Sequence, residues 1–250
     1  MELLKRAAVN ELDKLLAKGK TKLFLLLTGL LPVIGMPIVL QLQNMFGVTG
    51  VGRDQYPIAV LNMMTLFIVP LTVFMNASDM FSGELGDKTI RSMLVRPVSR
   101  MKIFASKLLA LFAAVAVQLG LAGLVSAGAS FFLPAAGSIG QGMAEAALAY
   151  AAAALPMFVL CIAAAVLAQG FKNASGALAV LILLYGALKL LEYIFPHVMA
   201  FSPTAYTDWH SLWIGGSVSF GKLFTIFNFL AGCGIVMYAL GYMAFDNKEV

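Results

Sequence analysis

Lys189 and Glu192 are the ionisable residues that stand well inside an apolar run. Three residues apart on a helix, they share a face and can pair. Charges in such a run face protein or a wet cavity. The pair reads two ways: as a cargo-binding or cargo-gating point, or as a structural ion pair near the outer boundary. Other chemistry is poorly provided for. His197 and His210 are the histidines, and no Cys/His cluster accompanies them, which argues against a metal centre. Gly215-Gly216-Ser217 is a faint echo of a serine nucleophile loop, without a span histidine to serve as base. Gly19-Lys20-Thr21 imitates the end of a phosphate loop, but that loop needs glycine at position 14, where Lys14 stands, and no strand precedes it. Cys161 and Cys233 fall in apolar runs, where neither a disulfide nor a metal site is expected. An intramembrane enzyme is disfavoured, and no cofactor is expected in this chain.

The elements that carry these residues are set by composition. Of 250 residues, 61% are hydrophobic and 12% charged, and the mean hydropathy is +0.91. A soluble domain cannot hide that much apolar surface. The expectation is one all-α integral-membrane domain over residues 1–250. Six runs are long enough to span a bilayer, for which about 20 residues suffice: Leu23–Leu42, Ile58–Ala77, Ile103–Leu133, Ala144–Ala168, Ala174–Phe195 and Leu223–Phe245. Backbone groups in lipid must bond internally, so each run is a helix. Pro32, Pro37, Pro70 and Pro156 interrupt runs and are expected to kink them.

Orientation follows from Lys and Arg. If six spans alternate, fourteen of the seventeen basic residues share one side with both termini. The positive-inside rule makes that side the cytosol. The formal charge of +5 is thus a topology signal, and no nucleic-acid partner is expected. The first 22 residues hold many charges and no short apolar core before a cleavage site, so no signal peptide is expected. Residues 1–22 read as a cytosolic amphipathic segment. Within it Leu4, Ala8, Leu12, Leu15 and Leu16 share a helical face, on which Lys5 intrudes. Such a helix anchors to headgroups and is also placed to support a soluble partner. On the other side, the loop His197–Gly221 carries Tyr206, Trp209, His210 and Trp213, which suit the membrane–water boundary.

The connector between the second and third runs, within residues 80–102, is more than a solvated loop. Gly83 and Gly86 break the helix after the second run. Asp87 is placed to cap a new one. Ile90, Met93 and Leu94 then form a short apolar stripe. Pro97 ends that element, and Ser99 is placed to start the next helix. The result is a short helix held crosswise under the membrane. The positive-inside rule explains its charges but not its stripe, its glycines or its proline.

The run Gly83-Glu84 … Thr89-Ile90 … Leu94 … Arg96-Pro97-Val98-Ser99-Arg100 … Lys107 resembles the connector of ATP-binding-cassette (ABC) type-2 export permeases. That family commonly has Gly-Glu, Gly-Thr, a Leu-rich turn, Pro-x-Ser-Arg, and a Lys beginning the third span. This chain departs from it at Lys88, where the family often has glycine. The six-span layout is similar too. The resemblance implies a permease subunit of an ATP-driven exporter in a bacterial or archaeal cell membrane, with both termini cytosolic. It implies a dimer of separate cytosolic ABC ATPase subunits, which bind the ATP and Mg, and a second permease subunit, identical or related. Glu84, Thr89, Arg96 and Arg100 are the implied ATPase contacts. Lys189 and Glu192 become a possible cargo path. The implied cargo is small or amphiphilic: a drug, a peptide antibiotic or a lipid-like molecule. An ion-coupled secondary carrier, or a non-transporting signalling or assembly subunit bound to an ATPase, stays open as an alternative.

Overall fold

A computed structural model describes residues 2–46, 51–86, 99–134, 138–199, 201–214 and 218–247, and no strand occurs among them. The protein is an all-α integral membrane protein. Six helices are long and apolar enough to cross a bilayer: Gly19–Met45, Tyr56–Gly83, Arg100–Ser130, Ile139–Ala168, Ala174–Ile194 and Phe220–Asp246. All but the fifth start before the apolar segments legible in the sequence, and the third ends at Ser130, short of the expected Leu133. Capping residues set the true starts. Ser99, Ser138, Asn173 and Ser219 each stand at an N-cap with extended backbone. Asn173 caps with its side chain, accepting from the Ser175 N–H at 3.0 Å. Ser99 does so through its backbone, its carbonyl accepting from Lys102 and Ile103, while its hydroxyl makes no cap bond.

The third and fourth spans form the centre. The third buries Phe104, Leu108, Leu111, Val115 and Leu119. The fourth presents Ala149, Ala153, Met157, Cys161 and Ala165, all fully buried at four-residue spacing. Small side chains there let neighbouring backbones come close, which is how helices associate when lipid offers no hydrophobic drive. Close approach also governs the sixth span. A Cβ added at Gly241 would lie 2.8 Å from the Phe104 ring and 2.9 Å from Val166. The first, fifth and sixth spans turn residues such as Leu26, Val33, Leu183, Leu190, Ile235 and Val236 outward. In a bilayer that exposure costs nothing.

The second span is not uniformly α-helical. It runs as α-helix Tyr56–Met63, π-helix Met64–Ile68, α-helix Val69–Ala77 and π-helix Ser78–Gly83. Pro70 explains the first wide turn. It has no N–H to offer the carbonyl four residues back, at Leu66. The Val69 N–H reaches instead to the Met64 carbonyl, and the Tyr185 hydroxyl of the fifth span donates to the Leu66 carbonyl at 3.2 Å. A wide turn inside a span is a common mark of a working position.

Residues Glu2–Ala17 form the N-terminal helix. Its apolar edge is turned onto the inner core, with Leu15 1% exposed and Leu12 packed beside it. Lys5, expected to intrude on that edge, is exposed. The charged residue on the buried edge is Glu11, at 6% exposure. At the far end of the bundle the chain leaves the fifth span through the short helix Pro196–Met199 and two 3-10 turns, Pro203–Tyr206 and Trp209–Trp213.

Candidate functional site

The base of the connector is tied by side chains to the N-terminal helix and to the first, third and fourth spans. Its centre is Lys107, 1% exposed at the start of the third span. Its ammonium donates to Glu84 Oε2 at 2.6 Å, to Glu11 Oε2 at 3.3 Å and to the Met80 carbonyl at 3.4 Å. A buried ammonium has three protons to place, and here each finds an oxygen. The arrangement joins the N-terminal helix, the end of the second span and the start of the third. Lys14 donates to Glu11 Oε1 at 2.6 Å, so both oxygens of Glu11 are used.

The π-helical end of the second span makes the other ties. Asp79 pairs with Lys18 at 3.3 Å and Lys20 at 3.8 Å. Phe81 meets Phe104 edge-on, with centroids 5.8 Å apart. Ser82 donates to the Ala168 carbonyl at 2.5 Å. One turn earlier, Thr21 of the first span donates to Asn76 at 3.1 Å. Nearer mid-span, Gln118 Nε2 donates to Thr28 and Thr72, each at 3.0 Å, linking the first three spans. Polar residues in the spans are used largely between helices, and Asn228 lies on an exposed face.

Of the four implied ATPase contacts, Glu84 and Arg100 are described. Thr89 and Arg96, together with Asp87, the stripe Ile90–Leu94 and Pro97, lie outside the described residues. Glu84 is engaged with Lys107 within the chain. Arg100 donates to the carbonyl of Asp246 at the end of the sixth span. Sequence reasoning named Lys107 as part of a motif but gave it no partner. It missed Glu11 altogether, although a single carboxylate at i+3 from Ala8 and i−4 from Leu15 was a usable signal.

Lys189 and Glu192 do pair, at 2.9 Å. Lys189 also donates to the Thr204 carbonyl at 2.9 Å, so the pair holds the far-end segment to the fifth span. That segment has two further anchors. Trp209 donates its indole N–H to the Ala152 carbonyl at 2.7 Å. His210, fully buried, lies 2.7 Å from Asn62 Oδ1 of the second span. Burial holds the His210 pKa below its usual value, outweighing the nearby Asp208. His197, by contrast, is exposed.

The Glu11 carboxyl gives a pH test of the inner cluster. Burial alone would raise its pKa. The Lys107 charge and the hydrogen bond and charge of Lys14 outweigh that and hold it below the ordinary 4.5. A depressed folded-state pKa contributes stability above the unfolded value, and that contribution fades as pH falls through the folded one. The thermal midpoint of Glu11→Gln in detergent is therefore expected to fall below that of the parent at neutral pH. The gap should hold down to about pH 4.5 and close below it. A pH-independent gap would mean that the charge of Glu11 is not what stabilises.

A family model described as ABC-2 family transporter protein matches residues 10–201. The matched stretch begins inside the N-terminal helix, takes in the whole connector and ends beyond the fifth span. A comparison with curated proteins returned no match.

Proposed function

Because the chain belongs to the ABC-2 transporter family, and is thus a membrane subunit of an ABC transporter that works with an ABC ATPase, we propose that it is an export permease whose connector receives the stroke of that ATPase. The observation that carries this reading is the construction of the connector base. Asp79 is tied to the start of the first span, Met80, Phe81 and Glu84 to the start of the third, and Ser82 to the end of the fourth. A segment tied in this way cannot move without moving its neighbours. In this reading the connector end lies in the cytosol of a bacterial or archaeal cell. ATP binding closes a pair of ATPase subunits, the connector shifts, and the spans move between inward- and outward-open populations. The exported cargo is small or amphiphilic and passes between two permease subunits.

The contact roles divide. Thr89, Arg96 and Arg100 are the residues we assign to the ATPase surface. Glu84 seats the connector on Lys107. Lys189 and Glu192 position the far-end segment over the path.

The test is co-purification of the chain with its ABC ATPase, in parent and variant forms. Arg96→Glu and Arg100→Glu are expected to insert normally, to lose most of the bound ATPase and to abolish transport. Glu84→Lys is expected to abolish transport as well, through the loss of its seat on Lys107. Normal transport in all three variants, or a parent that never binds an ATPase, would overturn the reading. A complex that hydrolyses ATP but moves no cargo across liposomes would favour a signalling or assembly subunit instead.

A further inference from the structure

The base of the connector bears directly on the turn between the fourth and fifth spans. A Cβ added at Gly86 would lie 2.6 Å from the Lys172 carbonyl oxygen. Glycine is required there by close approach, not by backbone conformation. Beside it, a Cβ at Gly83 would lie 3.6 Å from Ala174, and Ser82 donates to the Ala168 carbonyl. The turn is itself stiff. The Gly170 N–H donates to Leu167, the Phe171 N–H to Ala168, and the Ser175 N–H to the Asn173 side chain. A push on Lys172 is therefore passed on to the helix that starts at Ala174 rather than absorbed.

That helix is among the least buried of the six. Along the fifth span only Ala177 and Leu181 are buried. Both lie in its first half, on the side of the turn. Its other end is fixed to something specific: Lys189 donates to the Thr204 carbonyl. A rigid helix held at one end by the connector, at the other by the far-end segment, and between them by Tyr185 on Leu66 and Phe74 of the second span, is a push rod.

We propose that the fifth span carries movement of the connector across the bilayer to the segment 202–207, entering at the Gly86–Lys172 contact and leaving through Lys189 and Thr204. This rests on the reading that an ATPase drives the connector. It assigns Gly86 and Lys189 as positioning residues. They act through the rod rather than on cargo.

The test uses the reconstituted complex of the chain with its ATPase. Thr207, 3% exposed, is replaced by cysteine and probed from the far side with a membrane-impermeant maleimide, with and without ATP and vanadate. Labelling of Thr207→Cys is expected to rise with nucleotide. That rise should be lost when Gly86→Val or Lys189→Gln is added, while ATPase co-purification persists. Gly176→Ala, where a Cβ meets nothing within 4 Å, should keep the rise. Should Gly86→Val fail to fold, the Gly86→Cys/Lys172→Cys disulfide serves in its place. The contact persists through the stroke, so the oxidised pair should still show the rise. An oxidised pair that blocks the rise, or a rise that survives in both Gly86→Val and Lys189→Gln, would overturn the proposal alone. A parent complex that forms and hydrolyses ATP without any rise would also overturn it. A chain that binds no ATPase would overturn the proposed function and this inference with it.

Discussion

Replacing Lys107 by alanine is expected to cost about 3–5 kcal/mol of stability, the range for removing one partner of a buried ion pair. The loss has two parts. One is the space left by a long side chain that is 1% exposed. The other is electrostatic and is the larger. Without the ammonium, Glu11 keeps only Lys14, whose side chain is nearly half exposed, and Glu84 loses its 2.6 Å partner. Lys107→Met separates the parts, because it keeps much of the stem and removes the charge. It is expected to be nearly as unstable as the alanine variant. Adding Glu11→Gln to Lys107→Met should then recover part of the loss, since the buried carboxylate left with Lys14 alone is gone. Thermal midpoints of the four proteins in one detergent give the coupling by a double-mutant cycle. A Lys107→Met variant as stable as the parent would show that the charge does not hold the cluster together.

How much of this was legible beforehand depends on which physical signal each feature leaves. The six spans were legible because about 20 consecutive apolar residues have no other stable home than lipid. Their ends were less so. Helix continues through Gly19–Lys22 and Arg100–Lys102, where hydropathy is low but capping and tertiary contacts carry the backbone. The Lys189–Glu192 pair was legible from i,i+3 spacing. Its bond to Thr204 was not, because Thr204 lies fifteen positions on, past the end of the helix and the short helix Pro196–Met199. Glu11, Glu84 and Lys107 illustrate the harder case. They lie on three elements up to 96 residues apart, and no local period links them. The wide turn at Met64–Ile68 shows the same limit from another side. Pro70 announced a disturbance, yet whether it would kink the helix or widen a turn depended on Tyr185 reaching Leu66 from another span. Spacing within an element is a property of sequence, whereas pairing between elements is a property of the packed bundle.

Trp209→Ala is the second large effect, and it falls at the opposite end of the molecule. The indole is 3% exposed and packs with Val159, Ile226 and Leu230, which belong to the fourth and sixth spans. It also meets Trp213 edge-on, with centroids 5.5 Å apart, and donates to the Ala152 carbonyl at 2.7 Å. Truncating a buried tryptophan costs about 3–5 kcal/mol where the surroundings cannot close the space. Here they are poorly able to, because two of the three walls are long membrane helices. The carbonyl of Ala152 lies four residues before Pro156, which has no N–H to offer it, so the loss of the Trp209 donor adds to the lost packing. That predicts a local outcome. The 3-10 turn Trp209–Trp213 should detach, and buried His210 should become accessible. His210 would then titrate nearer its usual 6.5. Hydrogen exchange is expected to rise across residues 203–213 and to stay unchanged in the third span, with His210 modified by diethyl pyrocarbonate in the variant and protected in the parent. Trp209→Phe, which fills most of the space without the N–H, should restore most of the protection. If Trp209→Phe opens the segment as fully as alanine does, the single hydrogen bond to Ala152, and not the packing, is what pins the far end shut.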